Sequence, residues 1–152
     1  RDWSSDVCSS DLAFAAEPWM TVAVAYADWE RAAAPATEDV IDAAAAAGCG
    51  GVLVDTWDKT GPGLFGCQSR PVIAGWVSRA RAGGMQVALA GRIAAAELPE
   101  LLGCSPDIVG LRTAVCAGGR MGDVDEKLVR QAGRLVESRQ VVVPVGHPGE
   151  HS

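Results

Sequence analysis

Residues 50–65 read GGVLVDTWDKTGPGLF, and the order of residues in this stretch decides how the chain folds. Val52, Leu53 and Val54 make a short apolar run that ends on Asp55, and Lys59 follows four residues later in a Gly/Pro-rich loop. A run of that length, with core side chains on both faces, marks a buried parallel strand. In βα proteins the reactive groups collect where such a strand passes into its loop. An Asp and a Lys placed there have two readings. They act on one substrate as base, acid or phosphate clamp, or the Asp caps the next helix and the Lys is solvated.

The same theme recurs along the chain four times. The pattern predicts strands over Thr21–Ala27, Gly51–Val54, Met85–Ala90 and Asp107–Leu111. Between and after them it predicts helices over Thr37–Gly48, Pro71–Ala82, Ala94–Leu102 and Asp123–Ser138. Thr37 is expected to be the first helix's N-cap, with Glu38 and Asp39 in the opening turn and Gly48 as the stop. Gly83-Gly84 stops the second helix, and the last presents Val124, Leu128, Ala132, Leu135 and Val136 on one face. Strand–helix alternation at this spacing implies right-handed βαβ units and an α/β fold with a parallel sheet. Each strand ends in polar punctuation: Asp28, Asp55, Gly91-Arg92 and Arg112. An open flavodoxin-like sheet and a TIM-like barrel both accommodate these units. The Gly and Arg residues ending the last two favour the barrel, whose final two loops commonly bind phosphate.

Composition narrows the function classes. A hydrophobic content of 49% in 152 residues fills the core of one domain. The net charge of -6 argues against a nucleic-acid surface, which needs clustered Lys and Arg. No apolar run approaches the roughly 20 residues of a membrane span, and the first residues lack a signal peptide's basic start and apolar core. Five cysteines, at 8, 49, 67, 104 and 116, show neither a CxxC nor a metal spacing, which suits free thiols in a reducing cytoplasm. No metal or cofactor is expected. The opening RDWSSDVCSSDL (1–12) is polar, aperiodic and without Met, and reads as translated sequencing adapter to be left out of fold reasoning. The chain is then expected to be a fragment, with a partial barrel domain over 13–139 and a tail over 140–152.

Four motifs in register carry a resemblance. They are Ala25-Tyr26-Ala27-Asp28; Asp55-Thr56-x-x-Lys59-x-Gly61-x-x-Leu64-Phe65; Val87-Ala88-Leu89-Ala90-Gly91; and Asp107-Ile108-Val109-Gly110-x-Arg112 through Cys116-x-Gly118-Gly119. In order and spacing the chain from about Tyr26 to Val136 resembles the (5-formylfuran-3-yl)methyl phosphate synthases of methanofuran biosynthesis. The resemblance implies the C-terminal half of a TIM-like (β/α)8 barrel that condenses two molecules of glyceraldehyde 3-phosphate through a lysine Schiff base. Loss of phosphate and of water then gives the furan. It implies that Asp55 and Lys59 are the catalytic pair, and that Gly91, Arg92, Gly110, Arg112, Gly118 and Gly119 bind substrate phosphate, with Asp28 as a further rim residue. Its partners would be a small phosphorylated substrate and, at full length, further copies of itself. The chain departs from the family at Thr60, where an acid is usual, at Arg92, where a small residue is usual, and at Arg120, one position early. The family's Schiff-base lysine on its first strand also has no counterpart, because Lys59 and Lys127 are the only lysines.

Other signals weigh less. Gly61-Pro-Gly63-Leu-Phe-Gly66 spells GxGxxG, but it neither follows its strand directly nor opens a helix as a dinucleotide site must, and it reads as a lid. His147 and His151 are separated by Pro148-Gly149 and read as tail, Lys127 as a solvated helix face, and Cys116 as packing. Gly118-Gly119-Arg120 either offers backbone N–H groups to a phosphate or is a plain turn. Val141–Val145 reads as a strand that Pro144 bars from a sheet centre. Two other classes stay open: an aldolase with its Schiff base on Lys59, and a non-catalytic phosphate-binding half-barrel.

Overall fold

A computed structural model describes residues 20–140; the adapter-like start, Val141–Val145, His147 and His151 lie outside them. Four parallel strands form one sheet in the order of the chain: β1 (Val22–Tyr26), β2 (Gly51–Asp55), β3 (Gln86–Leu89) and β4 (Ile108–Val109). Ladder bonds from Asp107 N to Val87 O (2.9 Å) and from Gly110 N to Leu89 O (2.8 Å) flank β4, so the fourth strand's pairing is longer than its regular part.

Register sorts the side chains onto two faces. Ala25, Val52, Val54, Val87 and Leu89 are buried beneath α2 (Thr37–Ala46) and α4 (Arg70–Ala82), which also pack on each other. On the opposite face Val22 aligns with Gly51, Val24 with Leu53, Leu53 with Ala88 and Ala88 with Ile108. That face carries no helix among the described residues, leaving Val22, Val24 and Ile108 43–51% exposed. The four strands thus run parallel in consecutive order, with their helix layer on one face among the described residues. A flavodoxin-like sheet reverses its strand order and is covered on both faces, and no such reversal occurs among the described residues.

The helices are placed by polar contacts as well as by their apolar stripes. Trp76 Nε1 donates to Glu38 at 2.6 Å, and Arg79 forks onto both oxygens of Asp42 at 2.6 Å, tying α4 to α2. Pro71 sits in the opening turn of α4, where its missing N–H costs nothing. Between the strands lie the one-turn helices α1 (Trp29–Ala32) and α3 (Leu64–Cys67). After β3 come a 3₁₀ turn (Ala95–Glu97) and α5 (Leu98–Gly103), and after β4 a 3₁₀ turn (Thr113–Val115) and α6 (Glu126–Gln140).

Three local expectations change. Thr37 is not an N-cap: Ala36 takes that position, and the buried Thr37 hydroxyl donates to Tyr26 O at 2.9 Å, locking α2 onto β1. The helix expected over Ala94–Leu102 begins as the 3₁₀ turn, where the Glu97 carboxylate accepts from Ala94 N at 2.7 Å. The last helix begins at Glu126 instead of Asp123, because Val124 forms an antiparallel bridge to Cys116 and Asp125 accepts from the amides of Lys127 and Leu128. Val124 is therefore 69% exposed and off the helix face, while Leu128 and Ala132 pack inward.

Candidate active site

The site lies at the C-terminal rim of the sheet. Asp55 is the last residue of β2, in register with Tyr26 of β1, and the pleat directs it to the helix-free face with Leu53. Its Oδ1 accepts the Thr56 amide at 2.7 Å, and its Oδ2 lies 2.7 Å from Lys59 Nζ. Lys59 Nζ also donates to Thr56 O. The pair is about one-third exposed, 27% at Asp55 and 38% at Lys59.

The loop bearing Lys59 is folded by carboxylates. Asp28, buried at the end of β1, accepts from Trp57 N at 2.6 Å and Asp58 N at 2.9 Å. Asp58 Oδ1 then accepts from Thr60 N, the Thr60 hydroxyl and Gly61 N at 2.8–2.9 Å, while its Oδ2 pairs with Arg31 at 2.9 Å. The Thr60 hydroxyl, the two amides and Arg31 hold the Asp58 carboxyl below its ordinary value. Trp57 stacks edge-on against Tyr26 with centroids 5.5 Å apart. Downstream, the buried Leu64 donates its amide to Gly91 O at 2.8 Å. The Gly61–Gly66 segment expected as a lid is thus pinned to the end of β3.

A cavity of about 270 Å³ opens beside the pair, bounded by Asp55, Lys59, Ala90–Arg92, Gly110–Thr113 and Arg120. The strand-end residues Gly91, Arg92, Gly110 and Arg112 are therefore brought together with Asp55 and Lys59. Gly91 has φ +111°, and a Cβ there would lie 2.9 Å from Thr56 Cγ2. Arg92 takes the left-handed φ of 52°, and its buried Nε has no hydrogen-bond partner among the described residues. Arg112 Nε donates to Arg120 O at 3.1 Å, which folds the Arg120 segment back over the cavity.

Two expected groups fall elsewhere. Gly118 and Gly119 lie outside the cavity wall, both at positive φ in a turn closed by Gly119 N to Cys116 O and Gly122 N to Gly119 O. Asp28 lines a different, larger cavity of about 380 Å³ behind the loop, with Arg31, Pro62, Cys67 and Gln68. Four cavity residues, Ala90, Leu111, Thr113 and Arg120, fall outside the expected site set, with Arg120 expected only as part of the Gly118-Gly119-Arg120 segment. Arg120 depends on the Cys116–Val124 bridge, which no local pattern announces, and Thr113 begins an unexpected 3₁₀ turn. Among the described residues no group of three or more His, Cys, Asp or Glu is placed to hold a metal, and no helix is long and apolar enough to cross a membrane.

The profile of the 4-HFC-P synthase family matches residues 5–133, which include every residue of this cavity. The chain belongs to that family. It is similar to the (5-formylfuran-3-yl)methyl phosphate synthase of Methanocaldococcus jannaschii, 38% identical over 118 residues, covering 76% of this chain and 50% of that protein. The corresponding proteins of Archaeoglobus fulgidus and Methanothermobacter thermautotrophicus are 39% and 34% identical, over 71% and 78% of this chain and 46% and 51% of theirs. The chain thus spans about half the length of these curated relatives. For a 4-HFC-P synthase family member the rim chemistry is coherent. Arg92, Arg112, Arg120 and Lys59 outnumber Asp55, so the cavity attracts an anion, and guanidinium forks match a phosphate's geometry. Asp55 lies at the same wall, where a carboxylate can move a proton.

Proposed function

We propose that this chain supplies the Asp55–Lys59 half of a synthase that condenses two molecules of glyceraldehyde 3-phosphate into (5-formylfuran-3-yl)methyl phosphate, with loss of phosphate and water, in methanofuran biosynthesis. In this reading the helix-free face of the sheet is the inner wall of a (β/α)8 barrel, and the other wall brings the Schiff-base lysine. Asp55 shuttles the α-proton of the iminium, work worth about 10²–10⁴ in rate. Lys59 neutralises charge on the departing phosphate, and Arg92, Arg112 and Arg120 grip a substrate phosphate. The reaction is then that of a carbon–oxygen lyase acting on phosphates, working in the cytoplasm.

One observation carries the reading: the carboxylate–ammonium pair at 2.7 Å opens onto a cavity whose remaining charged residues are arginines. An amine attacks a carbonyl through its free lone pair. Lys59 Nζ instead points its protons at Asp55 and Thr56 O, which favours an electrostatic role over a Schiff base. The test is to co-express the chain with the upstream half of the Methanocaldococcus jannaschii relative and to assay furan product from glyceraldehyde 3-phosphate. Product from the pair and none from the chain alone supports the reading. An adduct on Lys59 after borohydride reduction would overturn it in favour of the aldolase.

A further inference from the structure

Lys59 sits in the middle of a loop whose fold is set by two carboxylates that do not touch the cavity. Asp28 spans the loop's entry, holding the amides of Trp57 and Asp58 with one oxygen each. Asp58 spans its exit, with Oδ1 taking three donors from Thr60 and Gly61. Lys59 is the residue between the two clamps. Arg31, from α1, backs the second clamp through Asp58 Oδ2. The clamps act through the acceptor oxygens they offer to the loop's donors, and Asp28 is only 9% exposed, so the entry clamp is shielded from water. We infer that Asp28 and Asp58 are positioning residues that hold the Lys59 ammonium on Asp55. This rests on the proposed role of the Asp55–Lys59 pair for its catalytic meaning, but its geometry can be tested without turnover.

The chain offers its own reporter, because Lys59 and Lys127 are its only lysines. Lys127 is exposed and makes no ion pair among the described residues. Limited acetylation of the full chain by a succinimidyl ester, quantified by peptide mass spectrometry, gives the Lys59:Lys127 labelling ratio. Pairing with Asp55 should hold this ratio down about threefold relative to Asp55→Asn, as expected of a partly exposed ion pair.

Asp58→Ala removes the exit clamp and should raise the ratio to the Asp55→Asn level. Asp58→Asn keeps an oxygen in the Oδ1 place for all three loop donors and loses only Arg31, so it should stay at the wild-type ratio. Asp28→Asn keeps one of its two acceptors and should fall between. That pattern, with rescue by the isosteric amide, is not produced by general destabilisation, and urea midpoints of each variant check that it is folded. The inference is overturned if Asp58→Ala and Asp28→Asn both keep the wild-type ratio while Asp55→Asn raises it. It is equally overturned if Asp58→Asn behaves like Asp58→Ala, since charge and not loop bonding would then be at work. Loss of furan synthesis in the completed enzyme leaves these ratios untouched, so failure of the proposed function and failure of the clamp are read separately.

Discussion

Gly91→Ala probes whether the end of β3 is shaped by its backbone or only by what it binds. At φ +111° an L-residue is strained, a cost of about 1–3 kcal/mol. The new Cβ would also lie 2.9 Å from Thr56 Cγ2 and 3.2 Å from Thr56 N. Thr56 is fully buried and β-branched, so it has no open space to swing into. Overpacking of that kind adds about 1–3 kcal/mol. The combined loss is about 2–6 kcal/mol, a fall of roughly 1–3 M in urea midpoint at an m-value of about 2 kcal/mol/M. Gly118→Ala is the internal control: φ is +79° there, but nothing lies within 4 Å of the added Cβ. It should lose only the left-handed penalty of about 1–2 kcal/mol. Urea unfolding followed by circular dichroism, with both variants side by side, measures the difference. Equal midpoints for Gly91→Ala and Gly118→Ala would refute the contact between Gly91 and Thr56 as a determinant of the rim.

Two solution properties follow from the titrating groups. Burial pushes Asp107's carboxyl up, but the Arg81 pair and the Val87 amide outweigh it and leave it below its ordinary 3.8. The charged form is thus the folded one's partner, so its stabilisation is complete above that value and lost as pH falls through the lower folded one. The urea-midpoint difference between wild type and Asp107→Asn should be constant from pH 7 to about 4.5 and close only below it; closure between pH 7 and 5 would contradict the assignment. Burial also raises the thiols of Cys67 and Cys104, with Asp28 adding to the effect at Cys67. Iodoacetamide at pH 7.5 should therefore alkylate both more slowly than a free cysteine, and rapid loss of either thiol in a peptide map would be the contrary result.

Much of this architecture is legible in the sequence because it is local. Apolar runs punctuated by Asp28, Asp55, Gly91-Arg92 and Arg112 announce the strands and the edge on which they end, and the structure gathers Asp55, Lys59, Gly91, Arg92, Gly110 and Arg112 around one cavity. What escapes reading depends on distant partners. Thr37 carries a cap's side chain, yet its hydroxyl is drawn 11 residues back to Tyr26 O. Asp28 looks like another rim acid, but the amides of Trp57 and Asp58, about 30 residues away, take both its oxygens. The start of α6 shifts because Val124 is recruited by Cys116, and the same bridge returns Arg120 to the cavity. GxGxxG illustrates the reverse case: its glycines serve close packing, since a Cβ on Gly63 would lie 3.0 Å from Arg92 O.

The assignment of Asp55 as the proton-moving group is tested most directly by Asp55→Asn in the completed synthase, with initial rates over a range of glyceraldehyde 3-phosphate. The amide keeps the shape of the carboxylate and an acceptor for the Thr56 amide, but removes the base. The expected result is a fall in kcat of about 10²–10⁴ with KM changed by less than about threefold. A near-normal kcat would contradict the central role given to this residue.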